Sequence, residues 1–424
     1  MARFIIEGGR PLNGTITPGG NKNEALPVLA ASLLTTEPLI LRRIPKIGDV
    51  LTICEILKKL GVRVEWDKND TLLLDAKHAK SYDPPEDLCA RVRASILLLA
   101  PLLSRFGKVK LPLPGGDVIG SRRIDTHWEG IQTLGGSLKF GKVIEGHIKK
   151  IVGADIFLDE PSVTATENLL LLAVLGEGKT VLHNAASEPH VTGLCRLLIS
   201  MGAKIQGIGS NRLEIEGVTT LSGAEHTIGP DFMEVGSFLC LGAISGGQVT
   251  IQDSAPQDLR FVLKTLARLG IEPSVSKNSL MIDGTHQLAI KNDVGGRVGT
   301  IYSGPWPAYP TDLMSVAIVA ATQVQGTMIF FEKMFEGRML FTDNLTRMGA
   351  NIVLCDPHRV VVTGPSSLYG AELSSPDVRA GMALLMASLI AKGSSEIGNI
   401  YQIERGYEKI EQKLQSLGAA IKKV

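Results

Sequence analysis

The sequence predicts an α/β protein of two domains, assembled from six copies of one unit of roughly seventy residues. Two series of glycines carry that prediction. Leu60-Gly61, Leu134-Gly135, Met201-Gly202, Leu269-Gly270, Met348-Gly349 and Leu417-Gly418 each close an apolar helical stretch and open a short strand, as in Gly61-Val-Arg-Val-Glu65. Gly107, Gly178, Gly247, Gly326 and Gly393 keep step with the first series, and the opening unit has Glu37 in that place. Glycine suits both positions because a helix commonly ends on a left-handed residue, where a Cβ would clash. At 424 residues the chain is too long for one ordinary core, so the six units divide as two groups of three.

Within a unit the order is strand, turn, amphipathic helix, strand, as in Thr250-Ile-Gln-Asp253, a helix over Leu259 to Leu269, and a strand from Glu272. One apolar stripe per helix packs helices together inside and places small sheets outside them. Pro18-Gly19-Gly20 and Gly229-Pro230 mark the edges of a three-unit block, so one domain is expected over 22–229. Residues 1–21 are expected to return and complete the other with 230–424. That arrangement implies two chain crossings, with an active-site cleft between the domains.

Forty-four basic residues balance 43 acidic ones, which leaves no global field to attract nucleic acid or an anionic membrane. Cys54, Cys89, Cys195, Cys240 and Cys355 are odd in number and widely spaced, fitting neither a disulfide framework nor a metal site, so reduced cytoplasm is the expected compartment. The N-terminus turns polar too early for a signal peptide, and runs such as Ala94 to Leu103 fall short of the ~20 residues that span a bilayer.

Chemistry must lie where the units differ. Gly19-Gly-Asn-Lys-Asn23 directly precedes the helical run Glu24 to Leu34. Asn21 or Asn23 can cap it, but Lys22 sets a full positive charge at a partly positive helix end, which is unfavourable unless an anion sits there. A phosphate would satisfy lysine and amides together; a solvated lysine is the bland alternative. The long Gly- and Pro-rich loop Leu111 to Asp125 carries Asp117, Arg122 and Asp125, by default solvated charges but at a length typical of binding loops. Arg91, Arg93, Arg338, Arg379 and Arg405 each open or precede a helix, and their recurrence suggests convergence on a multiply charged anion. Asp312 and Asp377 at helix starts have a sufficient structural reason in the macrodipole. His127 and His190 lack partners at metal or triad spacing and read as surface or packing residues.

Gly20-Asn-Lys-Asn23, Arg93-Ala-Ser-Ile96, Leu113-Pro-Gly-Gly-Asp-Val-Ile-Gly-Ser-Arg122, Tyr309-Pro-Thr-Asp312, Phe335-Glu-Gly-Arg338 and Glu404-Arg-Gly-Tyr-Glu408 together resemble the enolpyruvyl transferases, in the branch whose acceptor is UDP-N-acetylglucosamine. The resemblance runs from the first strand to the last unit. It implies the family's inside-out α/β barrel pair, and transfer of the enolpyruvyl group of phosphoenolpyruvate to the sugar's 3-hydroxyl by addition and elimination, the first committed step of peptidoglycan synthesis. It implies no metal and no organic cofactor, and a monomer is expected. An acceptor such as shikimate 3-phosphate or another nucleotide, or a non-catalytic sensor of UDP-sugars, are the alternatives.

By the same resemblance Lys22, Asn23, Arg122, Arg338, Arg379 and Arg405 bind phosphoenolpyruvate, whose phosphate and carboxylate require fixed cations. Asp117 is the proton donor and Asp312 the base, with Lys22 and Arg405 also in the catalytic set. Asn23, Arg93, Arg122, Arg123, Ile124, Asp125, Thr126, Glu160, Pro161, Ser162, Val163, Asp312 and the backbone at Met334 are assigned to the sugar nucleotide. Most of the family places cysteine where this chain has Asp117, so insensitivity to the thiol-directed epoxide fosfomycin is implied. Arg123 and Thr164 stand where the family commonly has Pro and Gly, and Gly48 replaces a lysine seen in several relatives.

Overall fold

The computed structural model describes residues 2–67, 70–116, 120 and 122–424. These form two compact units. One comprises Gly20 to Gly229 apart from the stretch 118–121; the other contains Met1–Gly19 and Pro230–Val424. Each unit has its own apolar core, with no buried residue shared between the two clusters.

Three small sheets belong to each unit among the described residues. Five of the six have four strands and one plan: a parallel pair, then two antiparallel additions. In the sheet of Gly299–Tyr302, Gly326–Phe331, Arg359–Gly364 and Asn351–Asp356, the first two strands are parallel and are joined through helix Thr311–Ala321. Parallel neighbours require such a crossover, because a tight turn cannot reverse the chain twice. Asp155–Phe157 and Lys179–His183 are joined in the same way through helix Val163–Ala173, and Glu372–Ser374 and Ser394–Gly398 through Val378–Ile390.

At two places the crossover is exchanged. Strand Gly14–Ile16 leads into helix Lys22–Ala31 but pairs with Gln248–Gln252; Ala224–Thr227 leads into helix Phe232–Ile244 but pairs with Leu39–Arg42. Hydrogen bonds replace the missing covalent continuity at each. In one unit Asn21 N–H donates to Gly229 O at 2.8 Å, and in the other Asp231 N–H donates to Gly19 O at 2.9 Å. The third residue of each helix completes the seam. Glu24 accepts from Gly229 N at 3.1 Å and pairs with His226 Nε2 at 2.8 Å, while Glu234 accepts from Gly19 N at 2.9 Å and pairs with Lys413.

The expected single apolar stripe holds for outer helices such as Gly48–Leu60, which buries Val50, Ile53, Cys54, Ile56, Leu57 and Leu60. It fails for the helix at the centre of each repeat. Phe232–Ile244, Thr311–Ala321 and Val378–Ile390 are buried almost throughout, because helices apolar on all sides must leave solvent on all sides. The glycine reading also needs one correction. Gly61 and Gly107 cap helices at φ 99° and 67°, but the left-handed residue near position 247 is Gly246, at φ 74°. Gly247 is instead pressed on a backbone: an added Cβ would lie 2.1 Å from Leu12 O.

Among the described residues the sixth sheet, Lys108–Pro112, Val143–Ile148 and Gly136–Phe140, has no parallel strand. Tyr82 O takes one of the free amides instead, from Lys110 at 3.1 Å. The long Gly- and Pro-rich loop leaves this sheet.

Candidate active site

In the unit between Gly20 and Gly229 the site begins at helix Lys22–Ala31. Asn21 is the cap, its Oδ1 accepting from Asn23 N at 2.9 Å and Glu24 N at 3.3 Å, so of the two candidates Asn23 lies inside the helix. Lys22 does meet an anion, and the protein supplies one: Nζ lies 2.7 Å from Asp49 Oδ2, with both side chains largely buried. Asp49 stands in the first turn of the next helix, where the macrodipole also favours a carboxylate.

Arg93 starts a short 3-10 helix, and its Nη2 donates to Arg122 O at 3.0 Å. Burial, and then the adjacent Arg122 charge, hold the Arg93 guanidinium below its ordinary value. An anion placed between two neighbouring cations would relieve both. Arg123 is exposed and spans Asp125 Oδ2 at 3.2 Å and Asp159 Oδ2 at 3.0 Å, while Thr126 donates to Asp159 Oδ1 at 2.7 Å. Asp159 therefore organises this corner, although only its neighbours Glu160, Pro161, Ser162 and Val163 were expected to matter. Ser162 caps helix Val163–Ala173, and Ile124 precedes helix Asp125–Thr133.

His127 belongs to the core and is hydrogen-bonded. Asn168 is oriented by Ala100 N on its Oδ1 and Ile96 O on its Nδ2, so that Nδ2 donates to His127 Nδ1 at 3.0 Å. The ring must then carry its proton on Nε2 and donate it to Thr164 Oγ1 at 3.0 Å. Burial, and then the Arg93 charge, push this histidine down to about 3. Thr164, a departure from the family pattern, is thus the partner of a buried neutral imidazole.

The second set of residues lies in the other unit. Asp312, in the first turn of helix Thr311–Ala321, is gripped by two guanidinium groups. Arg338 Nη2 lies 2.5 Å from Oδ1, and Arg379 places both Nε and Nη2 at 2.9 Å from Oδ2. Arg379 is buried at the start of helix Val378–Ile390, beneath the Asp377 cap, and its Nη1 donates to Tyr407 Oη at 3.3 Å. Although burial opposes its charge, Asp312 foremost and then Tyr407 and Asp231 hold its proton more tightly than usual. Tyr407 was present in the quoted Glu404-Arg-Gly-Tyr407 segment, but nothing in the sequence showed it under an arginine.

Two of the dispersed arginines need correction. Arg405 closes helix Tyr401–Glu404 rather than opening one, and there a cation complements the dipole; it is buried and donates to Gln402 Oε1 at 2.8 Å. Arg91 follows helix Glu86–Cys89 and forms an exposed pair with Asp87 at 3.7 Å, a surface role. Met334 follows the buried carboxylate of Glu332, which receives its amide at 2.8 Å. Asp117 lies outside the described residues.

Among the described residues no group of three or more His, Cys, Asp or Glu side chains is placed to hold a metal, and no helix is long and apolar enough to cross a membrane. Cys54, Cys89, Cys195 and Cys240 are buried free thiols pushed up to about 12 by burial, and Cys355 is exposed.

A family model described as EPSP synthase (3-phosphoshikimate 1-carboxyvinyltransferase) matches residues 6–414. A UDP-N-acetylglucosamine 1-carboxyvinyltransferase of Borreliella burgdorferi is 53% identical over 425 residues, covering 100% of this chain and 99% of the relative. One of the same name from Bradyrhizobium diazoefficiens is 50% identical over 422 residues, covering 100% and 98%. In fold, the chain resembles the enolpyruvyl transferase NikO from Streptomyces tendae, with a TM-score of 0.89 at 22% identity over 100% of this chain and 99% of that one. It also resembles EPSP synthase from Acinetobacter baumannii, with a TM-score of 0.77 at 17% identity over the whole of both chains.

Proposed function

The chain belongs to the EPSP synthase family, and from that premise we propose that it transfers the enolpyruvyl group of phosphoenolpyruvate to the 3-hydroxyl of UDP-N-acetylglucosamine, releasing phosphate. The observation that carries this reading is full-length identity of 53% and 50% to relatives named for that acceptor. Lys22, Asn23, Arg122, Arg338, Arg379 and Arg405 take the phosphate and carboxylate of the donor. Arg93, the segments 122–126 and 160–163, and the backbone at Met334 take the sugar nucleotide.

Asp117 gives a proton to the methylene carbon while the sugar oxygen attacks the neighbouring carbon and loses its own proton to Asp312. The carbon–oxygen bond to phosphate then breaks as a proton from the new methyl group returns to the Asp117 carboxylate, restoring both the alkene and the acid. The arginine grip on Asp312 supports this assignment. A donor whose anionic oxygens compete for Arg338 and Arg379 loosens their hold on the carboxylate, so the base is released only when the donor is in place. A cytoplasmic monomer is part of the proposal, the five free thiols suiting a reducing compartment.

Phosphate release from phosphoenolpyruvate, with and without UDP-N-acetylglucosamine, tests the reading. Release is expected only with that acceptor, is abolished by Asp117→Asn, and is partly retained by Asp117→Cys. Release with shikimate 3-phosphate instead would reassign the acceptor. Tight binding of UDP-N-acetylglucosamine with no turnover would make the chain a sensor.

A further inference from the structure

Glu332 is a fully buried residue to which the sequence assigned nothing, and five hydrogen bonds tie its carboxylate and backbone to four other residues. Its Oε1 accepts from Met334 N at 2.8 Å and Phe335 N at 3.3 Å, and its Oε2 accepts from Thr311 Oγ1 at 2.8 Å. Its backbone is held on both sides by His358, whose Nδ1 lies 2.7 Å from Glu332 O and whose carbonyl receives Glu332 N at 2.8 Å. A buried charge is retained only where such bonds compensate its desolvation.

The partners matter more than their number. Thr311 immediately precedes Asp312, and Met334 and Phe335 lie in the loop that runs into the 3-10 helix Glu336–Met339, which carries Arg338. The loop is therefore pinned twice to one helical turn: by Glu332 to Thr311 at its start, and by Arg338 to Asp312 at its end. Under the functional reading above, that turn carries the base and that loop carries the backbone that holds the acceptor.

We propose that Glu332 is a positioning residue, which fixes the Met334 backbone in register with Asp312 so that the acceptor hydroxyl meets its base. The buried carboxylate of Glu332 is bonded to the protein's own groups, so it acts through the two segments it joins. Registration of this kind is a large lever, because a displacement of about 1 Å between reacting groups costs on the order of a hundred-fold in rate. Without the carboxylate, His358 and Ser303 still hold the backbone at Glu332 and Lys333, and Arg338 still meets Asp312, so the freedom gained is confined to Met334 and Phe335 between them.

The test uses the full-length chain well below the melting temperature of each variant. It reads kcat, both KM values, and the Kd for UDP-N-acetylglucosamine by calorimetry. Glu332→Ala should lower kcat by about a hundred-fold and raise that Kd by about ten-fold. Thr311→Val cuts only the tie to the base, so kcat should fall about ten-fold with Kd within about two-fold of the parent. Glu332→Gln can accept from the amides and donate to the Thr311 hydroxyl, and should recover most of the turnover. The inference is overturned if folded Glu332→Ala keeps the parent kcat and Kd, if Glu332→Gln is as impaired as Glu332→Ala, or if activity merely follows the folded fraction. A parent chain inert with UDP-N-acetylglucosamine would sink the functional reading instead, and the same variants would then be judged on the acceptor that does turn over.

Discussion

Arg379 shows why a guanidinium rather than an ammonium stands at this position. Nε and Nη2 both reach Asp312, Nη1 reaches Tyr407, and the planar fork makes those bonds from inside the core. A lysine keeps the charge but has one nitrogen at the end of a flexible stem, and cannot serve a carboxylate and a phenol together. Arg379→Lys should lower kcat/KM for phosphoenolpyruvate about a hundred-fold, about 2.7 kcal/mol, as measured by steady-state phosphate release. Position 117 allows a different kind of check. A carboxylate is a far weaker nucleophile than a thiolate, so incubation with fosfomycin should leave activity intact. Time-dependent loss with an adduct on Asp117 would contradict that.

At the scale of the element, the seams at Gly19 and Gly229 replace a peptide connection with a capped helix, one inter-segment backbone–backbone hydrogen bond and a buried glutamate. Asn21 and Asp231 each accept from two amides of the helix they start while their own N–H holds the returning strand. Loss of such a cap costs about 1 kcal/mol. Asn21→Ala and Asp231→Ala should each lower unfolding free energy by about that amount in urea titration, with the m-value unchanged. The matched geometry of the two seams follows from the repeat: each lies where a strand would run straight into its central helix in the other units.

The exchange has a consequence for the whole molecule. Phe4–Glu7 is an interior strand, paired with Ser394–Gly398 on one side and Ala420–Lys423 on the other, and Phe4 and Ile6 are fully buried. A fragment of 230–424 alone should therefore fail to show a cooperative thermal transition, whereas 20–229, which contains every strand of its three sheets, should melt cooperatively on its own. Acid should destabilise the intact chain through His127. Its folded value of about 3 lies below the ordinary 6.5, so its contribution is present above about pH 6.5 and is lost as pH falls toward 3, where the unfolded chain takes up the proton. Melting temperature should drop more steeply between pH 6.5 and 4 for the parent than for His127→Gln.

Much of this was legible before any coordinates. The repeat could be read because each unit needs a residue without Cβ at a left-handed helix end, and that need is local. Lys22, Arg338 and Arg379 could be singled out because full positive charges near helix starts demand an explanation, whereas Asp312, an acid favoured at such a place, was raised only by the family resemblance. Asp49 and Glu332 could not be found in this way, since an acid in a first turn or beside a strand has an ordinary local role. The all-round burial of the central helices was hidden for the same reason, because burial depends on what packs against a helix. Composition and spacing thus determined the unit, its sixfold repetition and the cations. Only the tertiary structure decided which carboxylate holds which cation, and which strands were exchanged, because hydrogen bonds between residues hundreds of positions apart leave no periodic trace along the chain.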